Sequence, residues 1–330
     1  MIKNIRYLIT RETNPYKNLA LEEYLLKNVK DDECILYLWQ NQHTVVIGRN
    51  QNPWKECKVT KLEQNGGHLV RRLSGGGAVY HDLGNLNFTF LVSKESYDVN
   101  KQLDVILKAV NSLGIPAKKD GRNDITVEGK KFSGNAFYRT GKQCYHHGTL
   151  LVDVDMGSLS RYLNVSKKKL ASKGVESVRS RVCNLKDYDK TLTIDRMIDE
   201  LIKAFGQVYG LEPVSLEERH LKYEEIKRGI DKFSSWDWKY GKKMDFNYSI
   251  GKRFPWGEID IKLHVSSGVI KDALIFSDAL EVEPFIKMAQ VLKDCEFTIT
   301  AMLKAVESIE FFQEEKQKED IIYMIQNEDL

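Results

Sequence analysis

Short β-prone segments separated by glycine and asparagine turns dominate the middle of the chain. Residues 68–92 are strand-like, and they are broken at residues 75–77 and again at residues 82–85. Further β-prone segments follow as far as Val154. Because glycine and asparagine adopt turn conformations easily, this pattern predicts consecutive strands rather than long helices. We therefore predict that the middle of the chain forms β-sheet.

Helices and hairpins are predicted on either side of these strands. Asn14 followed by Pro15 predicts a helix start, since asparagine caps helices and proline favours the first helical position. Residues 34–39 and 44–47 are short β-prone segments that predict a hairpin around Asn41. A second hairpin is predicted for residues 258–276, with helices after it.

Length and charge limit the classes of protein that fit. The 330 residues are 42% hydrophobic, which suits one large domain and a small one, and Gly241 with the two lysines after it is the best linker candidate. Fifty Lys and Arg against 47 Asp and Glu give a net charge of +3. This balance does not indicate bulk binding to nucleic acid or to a membrane, so we expect neither partner.

The cysteines indicate a reducing compartment. There are five, an odd number without a C-x-x-C pair, which indicates neither a disulfide framework nor a zinc site. The first residues lack the apolar core of a signal peptide, and no segment approaches the roughly 18 apolar residues that span a bilayer. We expect a cytoplasmic protein without a membrane anchor.

The sharpest local signal is the sequence Arg-Arg-Leu-Ser-Gly-Gly-Gly-Ala-Val at residues 71–79. Consecutive glycines let a backbone approach a ligand closely, and the two arginines supply positive charge for a phosphate or carboxylate. No Gly-Lys-Ser/Thr follows, so the segment is not a Walker A loop. The alternative is a glycine-rich turn with solvated arginines.

Two further segments contain candidate site residues. Asp124 could help to hold Mg²⁺, and Lys131 could direct its ammonium group into a site, although a turn aspartate and an exposed strand lysine are the ordinary alternatives. His146 and His147 are adjacent on a predicted strand and so face opposite sides, which makes a shared zinc ion improbable. Either histidine could instead be a hydrogen-bonded core residue.

The order of these segments resembles the lipoate-protein ligase A family. The resemblance rests on Arg-Arg-x-Ser-Gly-Gly-Gly-Ala-Val, Gly-Arg-Asn-Asp, Lys-x-Ser-Gly and His-His-Gly-Thr-Leu-Leu, and on further matches at residues 44–57 and 173–182. It covers nearly the whole chain. It implies an α+β fold: a large catalytic domain of mixed β-sheets flanked by helices, as in biotin and lipoate ligases, over residues 1–243. A small α/β accessory domain that moves during the reaction is implied for residues 244–330.

The resemblance implies ATP-dependent protein lipoylation, a lipoate-salvage activity. Lipoate would be activated to lipoyl-AMP with Mg²⁺ present, and the lipoyl group would pass to a lysine of an acceptor domain. The implied acceptors are E2 subunits of 2-oxoacid dehydrogenase complexes and the glycine cleavage H protein.

Site residues are implied by the same resemblance, with Lys131 as the catalytic residue and Asp124 as the metal ligand. The implied ATP-binding residues are Arg72, Gly77, Ala78, Val79, Tyr80, Asn123 and Lys131. The implied lipoate-binding residues are Ser74, Gly75, Gly76, Lys131, His147 and Gly148. The implied segment that closes over the adenylate contains Lys173, Gly174, Val178, Arg179 and Arg181.

Three other functions compete with this one. An ATP-independent octanoyl or lipoyl transferase would form a thioester on a cysteine, such as Cys144 or Cys183. A biotin ligase shares the chemistry, but its glycine-arginine substrate loop is not found here. A non-catalytic binding protein would need neither Lys131 nor the glycine segment.

Overall fold

The fold combines three β-sheets with helices that cover their faces. The computed structural model describes residues 2–120, 124–164, 182–241, 244–310, 312 and 314–328. Its helices are α1 (Pro15–Asn28), α2 (Pro53–Glu56), α3 (Val59–Gln64), α4 (Val99–Ser112), α5 (Met156–Tyr162), α6 (Ile194–Tyr209), α7 (Tyr223–Ser234), α8 (Trp236–Tyr240), α9 (Glu283–Leu292), α10 (Ile299–Glu307) and α11 (Glu315–Gln326).

The strands begin near the N-terminus and extend into the last third of the chain. They are β1 (Asn4–Ile9), β2 (Glu33–Trp39), β3 (Thr44–Ile47), β4 (His68–Arg71), β5 (Val79–His81), β6 (Asn85–Ser93), β7 (Ala117–Asp120), β8 (Asp124–Val127), β9 (Lys130–Arg139), β10 (Gln143–Leu151), β11 (Pro213–Ser215), β12 (Tyr248–Phe254), β13 (Gly257–Ser266) and β14 (Val269–Ser277).

The largest sheet has eight strands in the order β11-β1-β2-β6-β10-β9-β8-β7. Strand β1 is parallel to both β11 and β2, and the other neighbours are antiparallel. Every residue of β2 is buried, and alternate side chains enter two cores. Leu36 and Leu38 pack with α4 and α6, while Ile35 and Tyr37 pack with α1 and α7. A strand covered on both faces explains the continuous apolar segment at residues 34–39.

The predicted hairpin between residues 34–39 and 44–47 is wrong. Strand β2 already has β1 on one side and β6 on the other, so both of its edges are hydrogen-bonded. After a turn in which His43 has a φ of 46°, β3 enters a separate sheet of order β4-β3-β5. The helix prediction at Asn14 is confirmed, because its side chain accepts hydrogen bonds from the N–H groups of Tyr16 and Lys17.

The C-terminal part has its own sheet and its own apolar core. Strands β12, β13 and β14 form an antiparallel meander, which confirms the predicted hairpin at residues 258–276. Helices α9, α10 and α11 pack on one face of this sheet and share a core with it. The predicted α+β class, with mixed sheets and a small C-terminal unit, is confirmed. None of the described helices is long and apolar enough to cross a membrane.

The end of β14 lies against the glycine segment of the larger unit. The Gly76 N–H donates to the Ala279 carbonyl at 2.8 Å. Nearby, the Ser277 N–H donates to the Asn50 carbonyl at 2.9 Å, and the Asn50 side chain donates to the Val282 carbonyl at 3.0 Å. Residues 277–282 therefore form part of the surroundings of the candidate site.

Candidate active site

A cavity of about 180 Å³ lies between the eight-stranded sheet and the small sheet β4-β3-β5. Typical ligand pockets have roughly 300 to 1,000 Å³, so this one suits a slender ligand. Its walls are formed by Leu19, Trp39, Val46, Arg72, Gly76, Gly77, Ala78, Val79, His81, Asn87, Lys131, Gly134, Asn135, Ala136, His147, Gly148, Thr149 and Leu280. The glycine segment, the Lys131 strand and the histidine strand, which are distant in sequence, thus meet at one place.

Lys131 lies near the start of β9, where its ammonium group reaches the cavity wall. Its Nζ lies 2.6 Å from Oδ1 of Asp124, and both side chains are 36% exposed. Glycine at position 134 leaves room for this lysine, because a Cβ there would lie 3.0 Å from the Nζ. The backbone carbonyl of Lys131 accepts a hydrogen bond from the Cys183 N–H at 3.0 Å.

Arg72 is buried and holds the glycine segment from the inside. Its Nε donates to the Ser74 hydroxyl at 3.0 Å, and its Nη2 donates to the carbonyls of Gly75 and Gly77 at 2.7 and 2.8 Å. A further bond joins Nη1 to the Val46 carbonyl at 3.3 Å. Burial lowers the pKa of Arg72 to about 10, so the guanidinium is charged at neutral pH. It supplies positive charge to the cavity while most of its donors shape the loop.

Arg71 has no access to the cavity and joins three chain segments instead. It is 4% exposed and donates to the backbone carbonyls of Gly48, Arg49, Gln51, Trp238 and Lys239. In return, the indole of Trp238 donates to the Arg71 carbonyl at 2.7 Å. The alternative of a turn with solvated arginines is therefore wrong for both arginines.

Glycine is required at position 75 by packing against the C-terminal unit. A Cβ there would lie 2.4 Å from the Leu280 carbonyl oxygen and 2.5 Å from that of Ala279. Gly76 has a φ of 85°, a left-handed value that favours glycine, and its N–H is bonded to Ala279. Of the three glycines, Gly77 has nothing within 4 Å of where a Cβ would stand.

His147 is the centre of a buried hydrogen-bonded row. Its Nδ1 lies 2.8 Å from Oε1 of Glu22, and its Nε2 lies 2.8 Å from the Ser74 hydroxyl. The carboxylate, imidazole and hydroxyl follow the order of a hydrolase triad. Ser74 is fully buried and is not among the residues that line the cavity, so its hydroxyl is not placed to attack a ligand there. The hydrogen bonds from Glu22 through His147 instead hold Ser74, at the start of the glycine segment, in place.

His146 faces the opposite side of the sheet, as the strand alternation predicts. Its Nε2 lies 2.8 Å from Oδ1 of Asn135 and its Nδ1 lies 3.2 Å from Oε1 of Gln102. Burial lowers the pKa of His146 to about 3. It is a hydrogen-bonded core histidine.

Some predicted site residues lie away from the cavity or outside the described residues. The Tyr80 ring points to the other face of β5, where it stacks on Tyr162 at 5.6 Å, so only its backbone could contact a nucleotide. Asp124 is paired with Lys131 but is not among the lining residues. The predictions that lie outside the described residues are those for Asn123, Lys173, Gly174, Val178, Arg179 and Arg181.

Neither candidate nucleophilic cysteine faces the cavity. Cys144 is fully buried in the core beneath α4 and α6, on the face of β10 opposite His147. Cys183 is 5% exposed, and its Sγ lies 3.5 Å from the Lys130 carbonyl. Burial raises the pKa of both thiols, which disfavours the thiolate that a thioester mechanism needs.

Several lining residues were missed by sequence reasoning, among them Trp39, His81 and Asn87. The signal for His81 was present, because alternation along β5 puts it on the same face as Val79. Trp39 and Asn87 had no comparable signal, since they enter the site only through the pairing of β2 with β6.

Comparison with protein families gives two adjoining matches. Residues 14–206 match the lipoyl protein ligase A/B catalytic domain, and residues 243–325 match the bacterial lipoate protein ligase C-terminus. A lipoate-protein ligase A of Psychrobacter cryohalolentis is 43% identical over 301 residues, which cover 89% of each chain. Another of Blochmanniella floridana is 40% identical over 297 residues, covering 87% of this chain and 88% of the relative.

Solved structures agree with these matches. P. falciparum LipL1 in complex with lipoate has a TM-score of 0.87 and 30% identity, covering 98% of this chain and 100% of that one. A bipartite lipoate protein ligase from Thermoplasma acidophilum, described with its E2 lipoyl domain, has a TM-score of 0.65 and 27% identity, and the match covers 74% of this chain and 99% of that one. A lipoate-protein ligase A bound with ATP has a TM-score of 0.63 and 27% identity, and the match covers 73% of this chain and 99% of that one.

These matches extend over both units of the fold and include the segments that form the cavity. The chain therefore belongs to the lipoate-protein ligase A family, and it is an enzyme of the ligase class.

Proposed function

We propose that this enzyme uses ATP to convert lipoate to lipoyl-AMP and then transfers the lipoyl group to a lysine of an acceptor domain. The observation that carries the proposal is the ammonium group of Lys131 in the wall of a narrow, largely apolar cavity. The relatives named above, which include one structure with lipoate and one with ATP, support the same substrates.

The first step must bring two anions together. A carboxylate is a poor acyl donor, and attack of its oxygen on the α-phosphorus of ATP gives a mixed anhydride and releases pyrophosphate. Repulsion between carboxylate and phosphate opposes this attack, so preorganised cations are needed where the charge develops. We assign Lys131, which lines the cavity, to contact with both groups, and the buried charge of Arg72 lies behind the glycine segment.

The acyl chain of lipoate needs an apolar channel. Leu19, Val46, Val79 and Ala136 provide aliphatic wall, and Trp39 provides an aromatic surface. With the carboxylate at Lys131, the chain would extend into this wall, and water would be kept from the anhydride. We propose that His147 and Gly148 contact the same chain, while Ser74, Gly75 and Gly76 act through the shape of the loop.

The nucleotide site is proposed to involve Gly77, Ala78, Val79 and the backbone of Tyr80. The Gly76 N–H is bonded to the Ala279 carbonyl, so it can serve a phosphate only after residues 277–282 move aside. We therefore propose that the C-terminal unit shifts during the reaction. Asn123, and the adenylate segment with Lys173, Gly174, Val178, Arg179 and Arg181, stay predictions from the sequence.

Magnesium is proposed to bind near Asp124. Mg²⁺ is commonly held by one or two carboxylates together with substrate phosphates, and the Asp124 carboxylate beside Lys131 fits such a set. Among the described residues, no group of three or more His, Cys, Asp and Glu side chains could hold a metal. When bound, the ion would neutralise phosphate charge. Asp124 also orients Lys131 through their ion pair.

Transfer to the acceptor follows by aminolysis, in which a neutral acceptor lysine attacks the lipoyl carbonyl and AMP leaves. The proposed acceptors are E2 subunits of 2-oxoacid dehydrogenases and the glycine cleavage H protein; the bipartite relative described with its E2 lipoyl domain supports the first. We assign residues 1–243 to the catalytic domain and 244–330 to the accessory domain, which the separate C-terminal core supports. Five free cysteines favour a cytoplasmic location.

The direct test is incubation of the full chain with ATP, Mg²⁺, lipoate and a purified lipoyl-acceptor domain. We expect the acceptor to gain the mass of one lipoyl group on one lysine, and lipoyl-AMP to form when the acceptor is omitted. Absence of lipoyl-AMP with folded protein would contradict the proposal, and so would acceptor modification that needs no ATP.

A further inference from the structure

His81 combines a buried position on the cavity wall with an unused ring nitrogen. The residue is 3% exposed and lines the cavity. Its Nδ1 lies 3.3 Å from the side-chain Nδ2 of Asn41. Its Nε2 has no hydrogen-bond partner among the residues that the structure describes. A buried polar atom of this kind is destabilising unless a ligand supplies the missing partner.

Neighbouring amides determine which nitrogen of His81 carries the proton. Asn18 Nδ2 donates to the backbone carbonyls of Glu12 and Gln40 at 3.0 and 2.8 Å. Carbonyls only accept, so the orientation of the Asn18 amide is fixed. The Asn18 Nδ2 has two N–H bonds, one of which is shared with Oδ1 of Asn41 at 3.0 Å. The opposite orientation of the Asn41 amide would bring two NH₂ groups together, so the Asn41 Nδ2 faces His81. The Nδ1 of His81 must therefore accept.

The neutral ring then carries its proton on Nε2. Burial lowers the pKa of His81 to about 3, and the nearby charge of Arg72 acts in the same direction. At physiological pH the ring is neutral, with an acceptor at Nδ1 and a donor at Nε2. A residue of the cavity wall therefore carries a buried N–H donor that has no partner among the described residues.

His81 and Lys131 both line the cavity, but they belong to different sheets. The His81 ring contacts Trp39 of β2, with ring centroids 6.3 Å apart, whereas Lys131 belongs to β9. In the strand order β2-β6-β10-β9, three interstrand steps of about 4.8 Å separate the strand of Trp39 from the strand of Lys131. His81 therefore lies on the β2 side of the cavity and Lys131 on the β9 side.

The β2 side and the β9 side of the cavity offer different groups to the two chemical ends of lipoate, and the inference drawn here rests on the proposed function. With the carboxylate at Lys131, the other end of the molecule is directed toward His81. That end is a cyclic disulfide, whose sulfur accepts hydrogen bonds weakly. Octanoate, a straight-chain acid of the same chain length, ends in a methyl group that accepts none.

We propose that His81 is a specificity-determining residue whose Nε2–H donates to a dithiolane sulfur of lipoate. Asn41 and Asn18 are positioning residues that hold the required tautomer. Octanoate leaves the donor unpaired in the cavity, so the enzyme discriminates against it. The preference for lipoate over octanoate is set by this hydrogen bond together with the shape of the cavity.

The tautomer can be tested on the unmodified full chain by NMR, with ¹⁵N-labelled histidine. Long-range ¹H–¹⁵N spectra distinguish a proton on Nε2 from one on Nδ1, and His81→Gln assigns the signals. We expect the Nε2–H form in the free protein and a shift of Nε2 with lipoate but not with octanoate. A proton on Nδ1, or equal shifts with both acids, would overturn the proposal.

Two substitutions test the same inference by activity and by spectrum. His81→Leu should lower the lipoate-to-octanoate ratio of kcat/KM in ATP–pyrophosphate exchange by about three- to tenfold. His68→Leu, an exposed position on the same small sheet, should leave the ratio unchanged. Asn41→Asp replaces the donor by an acceptor, so the His81 proton should appear on Nδ1. An unchanged ratio in His81→Leu, or an unprotonated Nδ1 in Asn41→Asp, contradicts the proposal.

Failure of this inference differs from failure of the proposed function. If lipoate binds and is adenylated while the His81 signals do not change, only the role of His81 is wrong. If lipoate neither binds nor reacts with ATP, the proposed function itself fails.

Discussion

Lys131 and Asp124 form an ion pair, with 2.6 Å between Nζ and Oδ1, although seven positions separate them in the sequence. Strands β8 and β9 bring them together in a hairpin that turns at Glu128 and Gly129. The carboxylate holds the ammonium group at the cavity wall before any substrate binds. A long, flexible side chain is thereby ordered at the place where the proposed mechanism brings two anions together.

Replacement of Lys131 should abolish adenylation without unfolding the protein. We expect Lys131→Ala to reduce lipoyl-AMP formation on the order of 100-fold or more, because it removes a preorganised cation. Lys130→Ala is the matched control, since Lys130 is the preceding strand residue and is exposed. Circular dichroism checks the fold of both. Near-wild-type adenylate from folded Lys131→Ala refutes the catalytic role.

Replacement of Arg72 should destabilise the protein as well as weaken substrate binding. Arg72→Met leaves the carbonyls of Val46, Gly75 and Gly77 without their buried donor, and we expect the free energy of unfolding to fall by about 2–4 kcal/mol. Arg11→Met, which replaces an exposed arginine, is the control and should change the free energy of unfolding by less than about 0.5 kcal/mol. Urea unfolding measures both. An unchanged stability in Arg72→Met contradicts the loop-holding role.

An added methyl group should distinguish the packing of Gly75 from that of Gly77. Gly75→Ala places a Cβ against the backbone of Ala279 and Leu280, and overpacking of this kind costs about 1–3 kcal/mol. The Cβ added by Gly77→Ala would have no atom within 4 Å, so this variant should have the same stability as the wild type. Thermal unfolding and limited proteolysis of the segment that joins the two units report the difference. Equal effects in the two variants argue against the contact.

Removal of two cysteines should not stop activation of lipoate. Cys144 and Cys183 lie outside the cavity wall, so a Cys144→Ala, Cys183→Ala variant should retain lipoate-dependent ATP–pyrophosphate exchange. Mass spectrometry of the wild-type enzyme during turnover should detect no acyl thioester. Loss of exchange in a folded double variant, or a thioester on either residue, would favour the transferase mechanism.

The contact between α1 and α7 should depend on pH through Glu23. Burial acts to raise the pKa of Glu23, but hydrogen bonds from Lys27 and Lys232 outweigh it and lower the pKa. A carboxyl with a lowered pKa in the folded state contributes stability above its ordinary pKa, and the contribution is lost as pH falls through the folded value.

Glu23→Gln should therefore reduce the free energy of unfolding by about 1 kcal/mol at pH 7. The difference from wild type should shrink below about pH 4.3, the ordinary pKa of glutamate. Glu224→Gln, at an exposed position on α7, should show no such dependence. Urea unfolding at several pH values measures the difference in free energy of unfolding between each variant and the wild type. A difference for Glu23→Gln that does not change with pH would count against the ion pairs of Glu23.

Local features of the fold were predictable from the sequence because they depend on neighbouring residues. Asn14 and Pro15 fix the start of α1, since the asparagine side chain caps N–H groups two and three residues away. Glu128 and Gly129 adopt left-handed φ values of 51° and 75°, which makes the β8–β9 hairpin a local event. The order of the glycine, lysine and histidine segments likewise identified the family, and the catalytic role of Lys131 stays a prediction from the same order.

Only the tertiary structure decided how distant segments use their side chains. Segments 34–39 and 44–47 separate into two sheets because β2 finds partners in β1 and β6, which the local sequence does not encode. Arg72 turns inward because nearby carbonyls accept its donors, and Gly75 is required by the approach of residues 279–280. The tautomer proposed for His81 depends on Asn41, which contacts its ring, and on Asn18, which orients the Asn41 amide. Hydrogen-bond direction and close packing act through space, so residue order alone could not reveal them.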